Sequence, residues 1–105
     1  MANSAFVNVA ASQTDNALVP AVANRAIRVK SLVLMPGATA TDITFNSKPT
    51  GAGSAISPTF AGGVRTTVVL PHEPLGWFQT KAGEGLTVTS GAGSTVGIIV
   101  VFDLL

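Results

Sequence analysis

An all-β fold is predicted by two features of this sequence, and it takes the form of an antiparallel β-sandwich of jelly-roll type in a single domain. The chain is rich in β-branched residues, with 13 Val, 12 Thr and 5 Ile among 105 residues, and these favour strands over helices. Gly or Pro also interrupts it about every ten residues, and no apolar stripe of helical period is sustained between the breaks. Eight short strands in about 100 residues are typical of a sandwich or jelly roll.

The predicted strands follow from the apolar runs between these breaks. They cover residues 5–9, 26–35, 39–46, 54–57, 64–70, 77–81, 86–90 and 96–104. The segment 17–23 is rich in Ala, but Pro20 favours an irregular or extended crossing, and a short helix is the alternative. A tight turn is expected at 81–85, with Gly83 or Gly85 at positive φ. Residues 1–13 form either an N-terminal arm or an edge strand.

The balance of residue types indicates an assembly. Hydrophobic residues make up 47% of the chain and charged residues 10%, whereas a typical domain has about 25% charged residues. A chain of this mass exposes roughly 5,500 Å² of surface, which leaves about one charged residue for every 500 Å². Monomers rarely expose contiguous apolar patches beyond a few hundred Å². The sequence therefore predicts one subunit of an assembly. A Thr-rich monomer with a neutral surface is the alternative.

Two strands supply candidate subunit contacts, because they are apolar on both faces. Strict alternation in 26–35 places Ile27, Val29, Val33 and Met35 on one face, and the terminal strand 96–104 likewise has an apolar second face. An ordinary buried central strand beneath a loop is the alternative. Trp77 and Phe78 take opposite faces of their strand, so one fills the core and the other seals a loop or a neighbour. The predicted subunit interface is Leu32, Leu34, Trp77, Ile99 and Val101.

The residue inventory disfavours catalysis and several kinds of ligand. The chain has one His, no Cys and five carboxylates, and no grouping of them has the spacing of a metal site or a catalytic triad. We therefore expect no enzyme activity, no metal and no cofactor. The six Lys and Arg residues are dispersed, which predicts no nucleic-acid binding. The longest apolar run is far shorter than a membrane helix, so no membrane span is expected. Residues 1–24 lack the Lys or Arg with which a signal peptide begins, so no signal peptide is expected.

Two segments resemble one protein family. Residues 23–29 (ANRAIRV) and 76–88 (GWFQTKAGEGLTV) are together similar to small bacteriophage head-decoration, or cement, proteins of jelly-roll type, and the resemblance spans residues 14–103. It implies a homotrimer that binds the major capsid protein on the outside of an assembled capsid and stabilises it. The implied location is the virion surface, after assembly in the host cytoplasm. A phage tail or receptor-binding module that recognises a host glycan or protein is the alternative, although one Trp and no Tyr offer little for sugar stacking.

The N-terminal segment is the candidate capsid contact. It carries no charge, and its backbone could add as a strand to the open edge of a partner. The predicted contact residues are Asn3, Phe6, Val7 and Val9. We expect deletion of residues 1–9 to leave a folded trimer that no longer binds capsids. The alternative is that this segment is an ordinary edge strand of its own sheet.

Overall fold

Ten β-strands form two antiparallel sheets in the computed structural model, which describes residues 3–105. The predicted all-β sandwich is confirmed. Residues 3–105 include no helix of the length and hydropathy needed to cross a membrane. The strands are β1 (Asn3–Val9), β2 (Asn16–Val19), β3 (Ile27–Pro36), β4 (Thr41–Lys48), β5 (Ser54–Ala55), β6 (Phe60–Gly62), β7 (Val68–Leu70), β8 (Phe78–Gln79), β9 (Gly85–Ser90) and β10 (Val96–Leu104).

The strand order is that of a jelly roll. Sheet one has the order β1-β10-β3-β7, with β8 also paired to β3, and sheet two has the order β2-β9-β4-β5, with β6 also paired to β4. The partners nest from the chain ends inward: β1 with β10, β2 with β9, β3 with β7 and β8, and β4 with β5 and β6. This nesting is a long antiparallel hairpin rolled into two packed sheets, which is the jelly-roll arrangement.

The core lies between the sheets and is centred on Phe45. This side chain has no solvent exposure, and its ring stacks on Phe78 of sheet one with centroids 5.3 Å apart. Phe60 meets it edge to face at 6.0 Å. Aromatic pairs in these geometries add to the free energy gained by burial alone. The other fully buried side chains are aliphatic, among them Ile27, Leu32, Leu34, Ile43, Leu86, Ile98, Val88 and Val100.

Local differences from the predicted elements have local causes. Asn16–Val19 forms a strand where an extended crossing was expected, because it pairs with β9. The predicted strand 64–70 is shortened to Val68–Leu70, since Arg65 at φ 50° lies in a turn. The predicted turn at 81–85 is present, with Gly83 at φ 82°.

A β-bulge at Lys30 reverses the predicted faces of the second half of β3, whereas Ile27 and Val29 before it face inward. Along β10, Val101 pairs with Ser31 but the next residue, Phe102, pairs with Val29, so Lys30 is an extra residue in β3. Side chains alternate strictly only in an unbroken ladder. Beyond the bulge the inward positions are therefore Leu32 and Leu34, which are 1% and 0% exposed. The prediction that these two residues lie at a subunit interface is wrong. The outward positions are Val33 and Met35.

The N-terminal segment is an edge strand and not a free arm. β1 pairs with β10 along its whole length, from Asn3 opposite Phe102 to Val9 opposite Val96. The chain stays attached beyond the strand, because Ser12 N donates to the carbonyl oxygen of Gly91 at 2.8 Å. Residues 1–2 of the predicted arm lie outside the described residues. Deletion of residues 1–9 would remove one strand of sheet one.

Gly76 holds the entry to β8 in a conformation that other residues avoid. Its φ is +81°, and a Cβ there would lie 2.5 Å from Cγ of Arg28. We expect Gly76→Ala to lower the free energy of unfolding by at least about 1–2 kcal/mol, the cost of a left-handed residue. Urea denaturation measures the loss. The control is Gly51→Ala, because a Cβ at Gly51 meets no atom within 4 Å; equal losses in both variants would contradict the strain at Gly76.

Candidate interaction surface

An apolar row crosses the outer face of sheet one. Phe6 lies opposite Ile99, Ile99 opposite Val33, and Val33 opposite Val69. Phe6 is 80% exposed, Ile99 42% and Val69 58%, and Val33 is half-buried. Because neighbouring strands lie about 4.8 Å apart, the four side chains span about 14 Å. We call these four residues the apolar row.

The surroundings of the apolar row are uncharged. On one side Met35, which is 41% exposed, lies opposite Gly97, and Gly97 lies opposite Asn8. On the other side Val101 lies between Ser4 and Ser31. The middle of this face therefore exposes apolar and small polar side chains only.

The charged side chains of this face lie at one end of it, and each of them has a polar partner there. Lys30 Nζ lies 3.2 Å from Oδ2 of Asp103 and donates to the carbonyl oxygen of Pro74 at 2.6 Å. Arg28 Nε donates to Oε1 of Gln79 at 3.1 Å. Partly exposed ion pairs of this kind contribute about 0–1 kcal/mol. These groups bound the uncharged surface but do not interrupt it.

Trp77 lies beside this end of the face and closes the loop before β8. Its neighbour Phe78 packs against the core, whereas Trp77 immediately precedes β8. Trp77 Nε1 donates to the carbonyl oxygen of Pro71 at 2.8 Å, and the residue stays 43% exposed. The expectation that one of the two aromatic residues fills the core while the other seals a loop is confirmed. The role of Trp77 between subunits stays a prediction.

Sheet two presents a polar outer face, in contrast to sheet one. Asn46 Nδ2 donates to Oγ1 of Thr89 at 2.8 Å. Asp15 Oδ1 accepts from Thr87 Oγ1 at 2.9 Å, and its Oδ2 accepts from the backbone N–H of Gly53 at 3.0 Å. These bonds tie the loops at 13–15 and 49–53 to the sheet. The sandwich therefore has one polar face that its own loops cover in part and one apolar face that is open.

Some predicted site residues lie together on this surface. Ile99 and Val101 point outward as expected, because β10 alternates without interruption up to Val101. Phe6, predicted as a capsid contact, lies directly opposite Ile99, predicted as a subunit contact. The structure therefore brings together on one face two residues that the sequence suggested for separate contacts; both contacts stay predictions. Asn3 is exposed at the start of β1.

Other predicted contacts lie inside the molecule. Val9 has no exposed surface and Val7 packs against the core, so the prediction that Val9 touches a capsid is wrong and Val7 faces away from the surface. The cause is alternation along β1, which turns one residue in two toward sheet two. Sequence reasoning missed Val33, Met35 and Val69 on the outer face. The uninterrupted apolar run at 32–35 was the available signal, because it marks a strand whose faces alternation alone cannot assign.

The described residues offer little for small-molecule chemistry. Among residues 3–105, no three His, Asp or Glu side chains lie close enough together to hold a metal ion. A groove of about 200 Å³ is lined by Val19, Pro20, Lys48 and Pro49 among others, whereas sites for drug-sized ligands have about 300–1,000 Å³. Lys48 Nζ donates to the carbonyl oxygen of Gly51 at 2.6 Å, which engages the one charged group of this groove. The open face of sheet one is therefore a stronger candidate for a functional site than this groove.

Comparison with known proteins shows a shared fold. No protein-family model matches the chain, and no curated protein matches it. A structure of Bacillus endospore appendages, described as disulfide-linked pili, is 14% identical, with coverage of 97% of this chain and 84% of that chain and a TM-score of 0.61. The virus-like particle of Macrobrachium rosenbergii extra small virus is 12% identical, with 99% and 78% coverage and a TM-score of 0.41. The SPBc2 prophage-derived protein YomS is 15% identical, with 96% and 95% coverage and a TM-score of 0.41. The chain is therefore similar in fold to the endospore appendage subunit.

Proposed function

We propose that this chain is a structural virion protein that binds the outside of an assembled phage capsid as a homotrimer and stabilises it, with no catalytic step. The observation that carries the proposal is the apolar row, an uncharged surface that an assembly would bury. The phage setting and the trimer rest on the resemblance of residues 23–29 and 76–88 to head-decoration proteins. Jelly rolls are also a usual architecture of viral capsid domains.

The mechanism is passive burial of surface. Apolar area removed from water stabilises a contact by about 25 cal/mol per Å², and a protein that binds only the assembled shell shifts the shell toward the assembled state by mass action. The open face of sheet one makes the contacts, and the polar face of sheet two stays in solvent. Because the apolar row itself holds no charged side chain and Lys30 near it is paired with Asp103, added salt has little effect on attachment.

A charge in the apolar row tests this function. We expect the unmodified protein to give the mass of three chains in light scattering and to sediment with capsids that lack it. Ile99→Asp loses both properties, since a carboxylate buried in the contact has no partner. Val69→Asp places the same charge at the β7 end of the row, at a residue more exposed than Ile99, and gives the same losses with less risk to the fold, which circular dichroism checks.

The matched control places the same charge on the opposite sheet. Ala55 is an exposed residue of β5, so Ala55→Asp keeps the trimer and capsid binding. A protein that is monomeric at micromolar concentration, or an Ala55→Asp variant as defective as Ile99→Asp, would contradict the proposal. If the unmodified protein binds tails but not capsids, the receptor-binding alternative replaces it.

A separate measurement on particles tests the stabilising role. Capsids that lack this protein are expected to release their genome at a lower temperature than decorated capsids, and adding the purified protein back restores the higher temperature. The shift is expected to persist when the salt concentration is raised severalfold, because attachment does not depend on exposed ion pairs. Equal release temperatures with and without the protein would count against cementing.

A further inference from the structure

The outer edge of β1 is long and unprotected. Within residues 3–105, β1 pairs with β10 on one side, and no strand pairs with its other side. Such an edge presents backbone N–H and C=O groups that can form a ladder with another strand. Natural edge strands are usually shortened, bulged, or protected by Lys or Pro. β1 has seven residues, NSAFVNV, without a charge, a Pro or a Gly.

The other edges are poorer templates. β6 and β7 have three residues each, and β5 and β8 have two. β2 has four residues, its register shifts between Ala17 and Val19, and Pro20 follows it. A strand added to this sandwich would therefore find its longest ladder at β1.

We propose that β1 pairs in antiparallel fashion with β1 of a second copy, about a two-fold axis at Phe6. In this register Phe6 meets Phe6 and Ser4 meets Asn8 on the outer face, while Ala5 meets Val7 on the inner face. Residues 4–8 thus read alike in both directions, with aromatic against aromatic, polar against polar and apolar against apolar, and the end pair, Asn3 with Val9, joins a polar residue to an apolar one. Cross-strand pairs of these kinds stabilise antiparallel sheets.

The apolar row gives a second reason for choosing a copy of this chain as the occupant. The axis stands perpendicular to sheet one, so the outer faces of both copies lie on the same side. The two apolar rows then meet end to end at Phe6, whose side chain is 80% exposed in the single chain. β1 carries no charge, so no like charges face each other across the axis. The contact does not depend on the proposed capsid role. It joins chains of neighbouring trimers and is weaker than the trimer contact, so a cross-linker traps it while the mass in dilute solution stays that of three chains.

A unique cysteine at the axis tests the contact on the purified protein. The chain has no Cys, so Phe6→Cys introduces a single thiol. We expect a short bifunctional maleimide to join this variant into covalent dimers, because residues directly opposite on antiparallel strands have Cβ atoms about 4.5–5.5 Å apart. The control Ala55→Cys carries an exposed thiol on β5 and stays unlinked. Equal linking of both variants, or no linking of Phe6→Cys, would overturn the proposal.

Charges at Ser4 and Asn8 test the register. Both side chains are exposed, so the fold tolerates the changes, as circular dichroism checks. In the Phe6→Cys background, Ser4→Lys with Asn8→Lys places Lys opposite Lys twice, and the covalent dimer is lost. Ser4→Lys with Asn8→Glu places Lys opposite Glu twice, and the dimer is retained. Equal yields in the two double variants would overturn the register. No capsid is present, so this result is independent of capsid sedimentation.

Discussion

Leu34→Ala is expected to lower the free energy of unfolding by about 2–5 kcal/mol, the usual cost of truncating a buried Leu. Leu34 has no exposed surface and lies in the core cluster, so the substitution leaves a cavity between the two sheets. A domain of this size is stabilised by about 5–15 kcal/mol in total. The loss is measured by urea denaturation followed by the fluorescence of Trp77, the one Trp of the chain.

The adjacent Met35→Ala is the matched control. Met35 is similar in size to Leu34 but 41% exposed, and the bulge at Lys30 places it on the outer face. We expect it to change the stability of the dissociated chain by less than about 1 kcal/mol, as surface substitutions do. A larger loss from Met35→Ala than from Leu34→Ala would show that β3 follows uninterrupted alternation and that the bulge is absent in solution.

Deletion of residues 1–9 is expected to prevent stable folding, in contrast to the folded trimer expected from sequence. The deletion removes Val9, which is fully buried, and the burial of such a side chain stabilises by about 1.5–3 kcal/mol. It also removes Val7 and Ala5, which pack against the core, and exposes the edge of β10. Circular dichroism and thermal melting of the truncated chain measure the outcome.

Two further samples separate the effect of losing the strand β1 from the effect of losing its exposed side chain Phe6. A synthetic peptide of residues 3–9 is expected to restore a cooperative melting transition, below the original temperature, when added to the truncated chain, because it can refill the ladder with β10. Substitution of the exposed Phe6 by Ala keeps the strand and is expected to leave the melting temperature of the single chain nearly unchanged. A truncated chain that melts cooperatively at the original temperature would show that β1 contributes little to the core.

The sequence predicted the kind of fold because that information is local. β-branched residues and regularly spaced breakers specify strands and turns, and alternation along β10 correctly placed Ile99 and Val101 outside. The faces of β3 beyond Lys30 could not be predicted, because the bulge there depends on the ladder with β10. The apolar row combines residues from four strands, and no pattern within one strand shows that Phe6 and Val69 lie in line. Long-range register was the missing information.

The nested pairing of the strands also has a consequence for synthesis of the chain. β10 lies between β1 and β3 in sheet one. Neither β1 nor β3 can therefore pair with β10 until residues 96–104 have left the ribosome. β1 is synthesised first of the three, and its backbone stays unpaired while about 90 further residues are added. Chains with exposed strand edges associate readily at this stage. Adjacent nascent chains on one messenger would meet when β1 is open on both sides. Ribosome spacing and the speed of translation up to residues 96–104 would thus influence the yield of correctly closed sandwiches.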